Sequence, residues 1–282
     1  MGQHRSLTAV RRSLLVALLL LVGACSATPD DRGVEVTSPV ARDGITAPPS
    51  TGGFDYQLGG AYPPADGVTV VARDSTAESA VGIYTICYVN GFQTQPGVEW
   101  PRELLVRRSD GSLLVDPGWP DEHLLDLSTP EQRAAAAARQ QATIDTCARK
   151  GFRAVEFDNL DSYTRARGAF TLDDAVTFAT DLTARAHRAG LAVGQKNTTD
   201  LGTRGRDGIG FDFAVTEECD RFDECGAATD VYGPRVFDIE YTDDLRGSFA
   251  EVCRRPATPP MTILRDRDLL PRGDAAYRYE RC

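Results

Sequence analysis

Short apolar runs alternate with longer polar or helix-forming stretches along most of the chain. Eight of these runs have the length of strands, at residues 54–58, 68–72, 82–89, 153–158, 191–196, 212–217, 235–240 and 261–266. Alternation of strands with helices is typical of a parallel sheet, and about 230 residues suit one α/β barrel. The pattern therefore predicts a (β/α)8 TIM-type barrel domain over residues 53–282. A doubly wound open sheet is the alternative.

Two helices between these runs have clear boundary signals. Ser128 and Glu131 have the spacing of a capping box, and the helix that follows them should end at Gly151. A second helix is predicted between Thr171 and Gly190, with acids in its first turn and bases in its last turns, as the helix dipole favours. No convincing helix follows either of the first two strands, so we expect an irregular barrel there.

Polar side chains follow five consecutive predicted strands. In chain order they are Tyr88 and Asn90, then Asp158 with Asn159 and Asp161, Lys196 with Asn197, Glu217 with Glu218, and Glu240 with Tyr241. Active groups of parallel α/β folds gather at this edge of the sheet. Asp161 could instead cap a turn or helix. Five polar strand ends in succession nevertheless favour a functional site with an electronegative mouth.

The residue types in this cluster favour carboxylate chemistry. The sequence has no G-x-S-x-G nucleophile elbow and no P-loop, and the glycines at 208 and 210 are followed by Phe213 where a dinucleotide fingerprint needs a small residue. It has no CxxC pair, and His123 and His187 are the only histidines after residue 24, so we expect neither a metal nor a cofactor. Glycoside hydrolysis requires two carboxyl groups of this kind, one protonated and one ionised.

An ordered set of motifs resembles glycoside hydrolase family 114, whose members resemble endo-α-1,4-polygalactosaminidases with a (β/α)8 fold. The motifs are FDYQLGG, CYVN, EFDNLDSY, GQKN, AVTEECDRFDEC, VFDIEY and TILRDRDL, and they span about residues 53–282. The resemblance implies a catalytic aspartate after the fourth strand, matched by Asp158, and a catalytic glutamate after the sixth, matched by Glu217. Thr216 departs from the asparagine expected before this glutamate. Glu240 is the second choice for that acid.

By analogy with related barrels, we expect Asp158 to be the nucleophile and Glu217 the general acid/base of a retaining hydrolase. The implied substrate is an α-1,4-linked galactosamine-containing polysaccharide, a cationic polymer that an acidic rim would attract. Substrate contacts are expected from Tyr88, Asn159, Asp161, Lys196, Asn197, Glu218, Glu240 and Tyr241. The alternative function is a surface-anchored carbohydrate-binding protein on a catalytically degenerate barrel, with Tyr88, Trp100 or Trp119 as sugar platforms.

Glu156 also needs an explanation, because alternation places it on the same strand face as Asp158 but deeper in the barrel. A buried carboxylate is costly without a partner. We expect that partner to be Lys196, from the neighbouring strand.

Residues 1–24 have the features of an export signal, in which Arg5, Arg11 and Arg12 precede an apolar run too short to span a bilayer comfortably. Small residues before Cys25 resemble a bacterial lipobox, so Cys25 is the expected lipidation site. Cleavage of an ordinary signal peptide nearby is the alternative. Residues 25–52 are rich in Pro, Ser, Thr, Gly and Asp, as in a flexible tether. We expect an exported protein, either secreted or bound to the membrane only through its lipid.

The charge of the chain limits its expected partners, and its cysteine content predicts disulfides. Removal of residues 1–24, which contain three arginines and no acid, changes the formal net charge from −10 to −13. Such a chain is not expected to bind nucleic acid, and a monomer is expected. Six cysteines follow Cys25, which suits three disulfides in an exported protein. Sequence alone allows 15 pairings of six cysteines. The chain order favours Cys87–Cys147, Cys219–Cys225 and Cys253–Cys282.

Overall fold

The protein folds into a nearly closed barrel. Its structure, a computed structural model, describes residues 44–282. Its described residues form nine strands: β1 (Gly53–Gln57), β2 (Val68–Asp74), β3 (Tyr84–Asn90), β4 (Ala154–Asp158), β5 (Ala192–Lys196), β6 (Phe213–Glu217), β7 (Val236–Tyr241), β8 (Met261–Arg265) and β9 (Tyr279–Arg281). Strands β1 to β8 pair in parallel and in chain order, and β9 pairs antiparallel with β8. The predicted TIM-type architecture is confirmed.

Helices cover the barrel unevenly. The α-helices of the described residues are α1 (Pro130–Arg149), α2 (Leu172–Arg188), α3 (Cys225–Tyr232) and α4 (Phe249–Val252). Short 3-10 helices span Arg102–Leu104, Leu160–Thr164 and Thr199–Leu201, and a π-helix spans Arg204–Ile209. The connections from β1 to β2 and from β2 to β3 contain no helix. The irregularity expected near the first strands is therefore present.

The two predicted helices begin where side-chain caps satisfy backbone donors. Thr171 and Asp174 form a reciprocal capping box at the start of α2. The N-cap of α1 is Thr129 rather than the expected Ser128, and its side chain accepts a hydrogen bond from the backbone N–H of Gln132. Pro130 explains the difference, because proline is favoured at the first helical position and so places the cap immediately before it.

Strand alternation separates a core inside the barrel from a core between the sheet and the helices. The inner core is formed by Phe54, Tyr56, Val70, Ala72, Ile86, Ala154, Ala192, Phe213, Val215, Phe237, Ile239, Met261 and Ile263, among others. The outer core includes Val155, Phe157, Phe178, Leu182, Val193 and Ala214. Gly194 is required inside the barrel, because a Cβ atom there would lie 2.6 Å from the ring of Phe213.

Side chains close the barrel between β8 and β1, which are not paired as strands. The guanidinium of Arg265 is fully buried, donates to the backbone carbonyl of Tyr56 and lies 3.5 Å from the carboxylate of Asp55. The hydroxyl of Tyr279, from β9, donates to the carbonyl of Phe54 at 2.7 Å. The C-terminal segment therefore completes the wall of the barrel.

Three disulfides stabilise the domain, as expected. Cys87–Cys147 joins β3 to α1, Cys219–Cys225 closes the turn between β6 and α3, and Cys253–Cys282 joins the end of α4 to the C-terminus. These pairs are the ones favoured by chain order. The expected signal peptide, Cys25 and the first part of the tether lie outside the described residues. Within residues 44–282, no helix has both the length and the apolar character needed to cross a membrane.

Candidate active site

An open cavity of about 420 Å³ lies at the carboxyl ends of the strands. All but one of the residues predicted to act in catalysis or substrate binding line it: Tyr88, Asp158, Asn159, Asp161, Lys196, Asn197, Glu217, Glu218 and Tyr241. They come from β3 to β7 and the turns that follow these strands. The rim inferred from strand ends is therefore one continuous surface.

The ammonium group of Lys196 lies at the centre of this surface. Its Nζ is 3.2 Å from Oδ2 of Asp158, 3.3 Å from Oε2 of Glu217 and 3.9 Å from Oε1 of Glu156. Burial alone would lower the pKa of Lys196, but the carboxylates of Asp158 and Glu217 outweigh it and raise the pKa well above its ordinary value. The lysine is therefore charged at neutral pH and bridges the two predicted catalytic carboxylates.

Asp158 is held in its ionised form by its neighbours. The hydroxyl of Tyr88 donates to its Oδ2 at 2.8 Å, and the backbone N–H of Asn159 donates to its Oδ1 at 2.7 Å. Burial acts to raise the pKa of Asp158, but Lys196, Tyr88 and this backbone donor together lower it below the ordinary value. An ionised carboxylate at the floor of the cavity has the state that a nucleophile needs.

Glu217 is more accessible than Asp158, with 27% of its side chain exposed against 18%. One carboxylate oxygen accepts a short hydrogen bond from the hydroxyl of Tyr241, and the other faces Lys196. Its backbone N–H donates to Oδ1 of Asn197 at 2.8 Å. The carboxyl group is thus oriented by two neighbouring strands and open to the cavity, as a general acid/base must be.

Glu156 has a nearer partner than the predicted one. Its Oε1 accepts a hydrogen bond from the hydroxyl of Tyr56 at 2.6 Å, and that hydroxyl accepts one from Lys196 at 3.0 Å. Glu156 is fully buried, and burial raises its pKa to about 7, partly opposed by Lys196. Lys196 therefore reaches Glu156 mainly through Tyr56.

The chain turns abruptly after each of the three central residues. Asn159, Asn197 and Glu218 immediately follow Asp158, Lys196 and Glu217, and all three have left-handed backbone conformations with φ of 66°, 46° and 60°. Asparagine adopts this conformation readily, whereas glutamate seldom does. The turns leave each functional side chain at the last inward position of its strand.

Arg267 holds the turn at Glu218. Its guanidinium contacts both oxygens of Glu218, at 2.8 and 3.1 Å, and an oxygen of Asp243 at 2.8 Å. It also lies over the ring of Tyr241, 4.1 Å from the ring centroid. Glu218 is therefore paired with Arg267 and supports the strand end that carries Glu217.

Arg165 organises the opposite wall. It contacts the carboxylates of Asp116 and Asp161 at 2.6 Å each, and it donates to the side-chain oxygens of Gln93 and Asn159 at 3.0 Å. Asp161 is thus neither isolated nor the N-cap of a helix, and it shares the charge of Arg165 with Asp116. The predicted sugar contact at Asp161 would have to compete with this ion pair.

Glu240 does not line the cavity, which corrects its prediction as a substrate contact and second choice for the catalytic acid. Tyr241 points into the barrel, so alternation directs its neighbour Glu240 to the outer face of β7. There it is fully buried and accepts a hydrogen bond from the backbone N–H of Asp220 at 2.7 Å.

Several cavity residues were not predicted from the sequence as part of the site. They are Tyr56, Leu58, Asp116, Gly118, Glu122, Arg165, Arg267 and Leu269. Trp119, which was considered only as a sugar platform, also lines the cavity. Tyr56 and Arg267 follow from alternation and position near the ends of β1 and β8. Trp119 is 62% exposed at the cavity, whereas the ring of Trp100 packs against Arg139 elsewhere.

One group of side chains among the described residues has the spacing of metal ligands. Potential ligand atoms of Cys219, Cys225 and Asp238 lie within 4.8 Å of one another. The two sulfurs are joined as a disulfide and so offer no thiolate. This group does not have the chemistry of a metal site.

A family model for glycoside-hydrolase family GH114 matches residues 35–282. The chain belongs to glycoside-hydrolase family GH114. Its membership confirms the resemblance in the motifs and makes the protein an O-glycosyl hydrolase. No functionally curated protein sequence matches the chain.

Solved structures share the fold of this GH114 member. Ega3 of Aspergillus fumigatus, in complex with galactosamine, is 20% identical with a TM-score of 0.66, over 84% of this chain and 97% of that chain. The glycoside hydrolase domain of PelA from Pseudomonas aeruginosa is 16% identical with a TM-score of 0.51, over 77% of this chain and 94% of that chain. At these identities the likeness establishes the barrel fold.

Proposed function

We propose that the protein hydrolyses α-1,4-linked galactosamine-containing polysaccharide, with Asp158 as nucleophile and Glu217 as general acid/base. The observation that carries the proposal is the single buried ammonium of Lys196, within 3.3 Å of both carboxylates at the mouth of a GH114 barrel. Paired carboxyl groups are what glycoside hydrolases use.

The proposal gives each residue one role in each of two steps. Asp158, ionised beside Lys196, attacks the anomeric carbon while Glu217 gives its proton to the departing glycosidic oxygen. Glu217 then takes a proton from water, whose oxygen attacks the anomeric carbon and releases Asp158. Tyr88 and Tyr241 hold one carboxylate oxygen of each in place through both steps.

The contacts that the two acids share with Lys196 support a retaining mechanism. Lys196 Nζ is 3.2 Å from Asp158 Oδ2 and 3.3 Å from Glu217 Oε2. The distance between these two oxygens therefore cannot exceed the sum of the two contact distances. That upper limit coincides with the lower edge of the roughly 6.5–9.5 Å typical of inverting enzymes. Retaining enzymes have separations of roughly 5–5.5 Å.

Charge supports a cationic polymer as substrate. The cavity is lined by six acids, Asp116, Glu122, Asp158, Asp161, Glu217 and Glu218, and by three bases, Arg165, Lys196 and Arg267. A lining with more acids than bases attracts the ammonium groups of a deacetylated aminosugar polymer. Ega3, a structural neighbour, was solved with galactosamine, which supports the same sugar class here.

A panel of aminosugar polymers tests this function. Purified protein is incubated with α-1,4-galactosaminan at several degrees of acetylation and with chitosan as a linkage control, and the products are analysed by mass spectrometry. The wild type should release oligosaccharides from the galactosaminan, and Asp158→Asn and Glu217→Gln should not. Equal release by wild type and both variants would contradict the assignment, as would cleavage of chitosan alone.

We also propose that the protein is exported, lipidated at Cys25 and monomeric. The basic n-region, the apolar run and the small residues before Cys25 support this processing. Expression in a bacterium should place the wild type in the detergent phase on Triton X-114 partition, and Cys25→Ala in the aqueous phase. Light scattering on the soluble domain should give the monomer mass. Partition of both proteins into the aqueous phase would contradict lipidation.

A further inference from the structure

Two acids on the outer face of β7 are buried side by side behind the candidate active site. Asp238 and Glu240 are two residues apart on one strand face, and both are fully buried. One oxygen of Asp238 accepts from the hydroxyl of Thr216 at 2.8 Å and from the backbone N–H of Cys219 at 3.3 Å. One oxygen of Glu240 accepts from the backbone N–H of Asp220 at 2.7 Å.

The second oxygen of each acid accepts no hydrogen bond from residues 44–282, since the hydroxyl of Thr262 beside Asp238 donates to the backbone carbonyl of Pro259 at 2.9 Å. Asp238 Oδ2 and Glu240 Oε2 are both buried and unsatisfied by any donor. Burial raises the pKa of Asp238 to about 7 and that of Glu240 to about 8, and a hydrogen bond between the two side chains is one of the opposing effects on Asp238. One proton shared between the two carboxyl groups would satisfy both oxygens and remove the repulsion between adjacent charges.

The backbone donors held by this pair belong to the turn that begins at the predicted acid/base. Cys219 and Asp220 are the second and third residues after Glu217, and the intervening Glu218 has the left-handed conformation described above. Lys196 and Tyr241 hold Glu217 from inside the barrel. Asp238 and Glu240 hold the backbone of the following turn from the outer face of the sheet.

We propose that Asp238 and Glu240 form a proton-sharing carboxyl pair that positions Glu217 by anchoring the backbone of the turn after β6. The proposal rests on the proposed role of Glu217 as acid/base. It makes both acids positioning residues, since neither lines the cavity that would hold substrate.

The groups around the pair explain why it holds a proton. The charges that act on Glu240 come from Asp238, Asp220 and Glu218, all of them acidic. The nearest bases bind those acids instead: Arg246 and Arg255 contact Asp220, and Arg267 contacts Glu218. On the other side Asp238 accepts from the hydroxyl of Thr216 and lies beside Thr262, and neither of these residues carries a charge. Because these arginines are paired with Asp220 and Glu218, they do not neutralise Asp238 and Glu240, and a proton held by the two acids does so instead.

Steady-state kinetics on the galactosamine polymer with three Glu240 variants test the proposal. Glu240→Ala removes the acceptor for the Asp220 N–H, and we expect kcat to fall about tenfold or more while KM stays within about twofold. Glu240→Asp shortens the side chain and so withdraws the carboxyl group from that donor. This variant should also lower kcat. Glu240→Gln keeps the acceptor oxygen and supplies a permanent donor to Asp238, so it should restore most of kcat.

Urea unfolding tests the shared proton separately. The pair binds protons more tightly in the folded state, so wild-type stability should fall as the pH rises from about 4 toward 8, and Glu240→Gln should fall less steeply. Full kcat in the alanine variant, or equal losses in the alanine and glutamine variants, would overturn the positioning role. If the alanine and aspartate variants do not fold, an unchanged pH slope in Glu240→Gln overturns the proton-sharing pair on which the positioning role depends. Failure of the proposed function shows differently, as full activity in Glu217→Gln.

Discussion

Replacing Lys196 with methionine removes the cation that bridges Asp158 and Glu217. Methionine keeps most of the volume of the side chain but leaves three carboxyl groups without their shared ammonium. The contacts at 3.2 and 3.3 Å correspond to about 5 kcal/mol each at an effective dielectric constant of about 20, before the cost of desolvation is counted. Breaking a buried ion pair from one side costs about 3–5 kcal/mol in measured cases, so we expect a loss of stability of that size.

The same variant should shift the pH dependence of catalysis. Lys196 is the largest of the influences that lower the pKa of Asp158, and without it burial raises that pKa. Because an opposite charge nearby is worth about 1–3 pKa units for an aspartate, we expect the acidic limb of kcat/KM to move to higher pH by about that amount. Turnover at neutral pH should fall accordingly.

Lys150→Met is the matched control, because Lys150 is the other lysine of the chain and lies outside the active-site cavity. Its ammonium donates to three backbone carbonyls near the surface, so this variant should lose some stability but keep the wild-type pH profile. The assays are urea unfolding and initial rates on the galactosamine polymer from about pH 3 to 9. An acidic limb that stays in place in Lys196→Met, with a stability loss below about 1 kcal/mol, would refute the reasoning.

Three further predictions follow from the same contacts. Trp119→Ala should raise KM up to about tenfold and change kcat little, because an aromatic contact is worth about 0.5–1.5 kcal/mol; Trp100→Ala is the control, and equal KM values in both would count against a sugar platform. In Glu156→Gln the free energy of unfolding in urea should fall less steeply between about pH 4 and 7 than in the wild type, because the raised pKa of Glu156 makes its contribution to stability greatest at low pH. An unchanged slope would mean that Glu156 is ionised in the folded protein. The double variant Cys253→Ser and Cys282→Ser should lose about 3–4 kcal/mol of the free energy of unfolding, measured by chemical denaturation, since that disulfide closes a loop of 29 residues. A loss near zero would mean that the pairing of β9 alone holds the C-terminus in place.

Much of the fold could be predicted because the strands are short, apolar and separated by capped helices. Alternation also placed Glu156 and Asp158 on one face, and the structure shows Asp158 at the rim above a buried Glu156. It should have excluded Glu240 from the cavity, because Tyr241 one residue later points inward. Two adjacent strand residues cannot share one face.

The remaining features depend on contacts between distant parts of the chain. Arg165 acts by meeting Asp116 across 49 residues, and Arg267 by meeting Glu218 across the same number. No local periodicity connects such pairs. The loop that carries Asp116 and Trp119 has only isolated bridges and one short helix before α1, so its position over the barrel follows from tertiary packing.

Proton NMR of the first products tests the central claim most directly. Wild-type protein is added to deacetylated α-1,4-galactosamine oligosaccharides, and the anomeric signals are followed before mutarotation mixes the anomers. A retaining reaction with Asp158 as nucleophile predicts that the α-anomer forms first and that Asp158→Asn forms no product. Initial release of the β-anomer would contradict Asp158 as a nucleophile, and no cleavage of these oligosaccharides would contradict the proposed substrate.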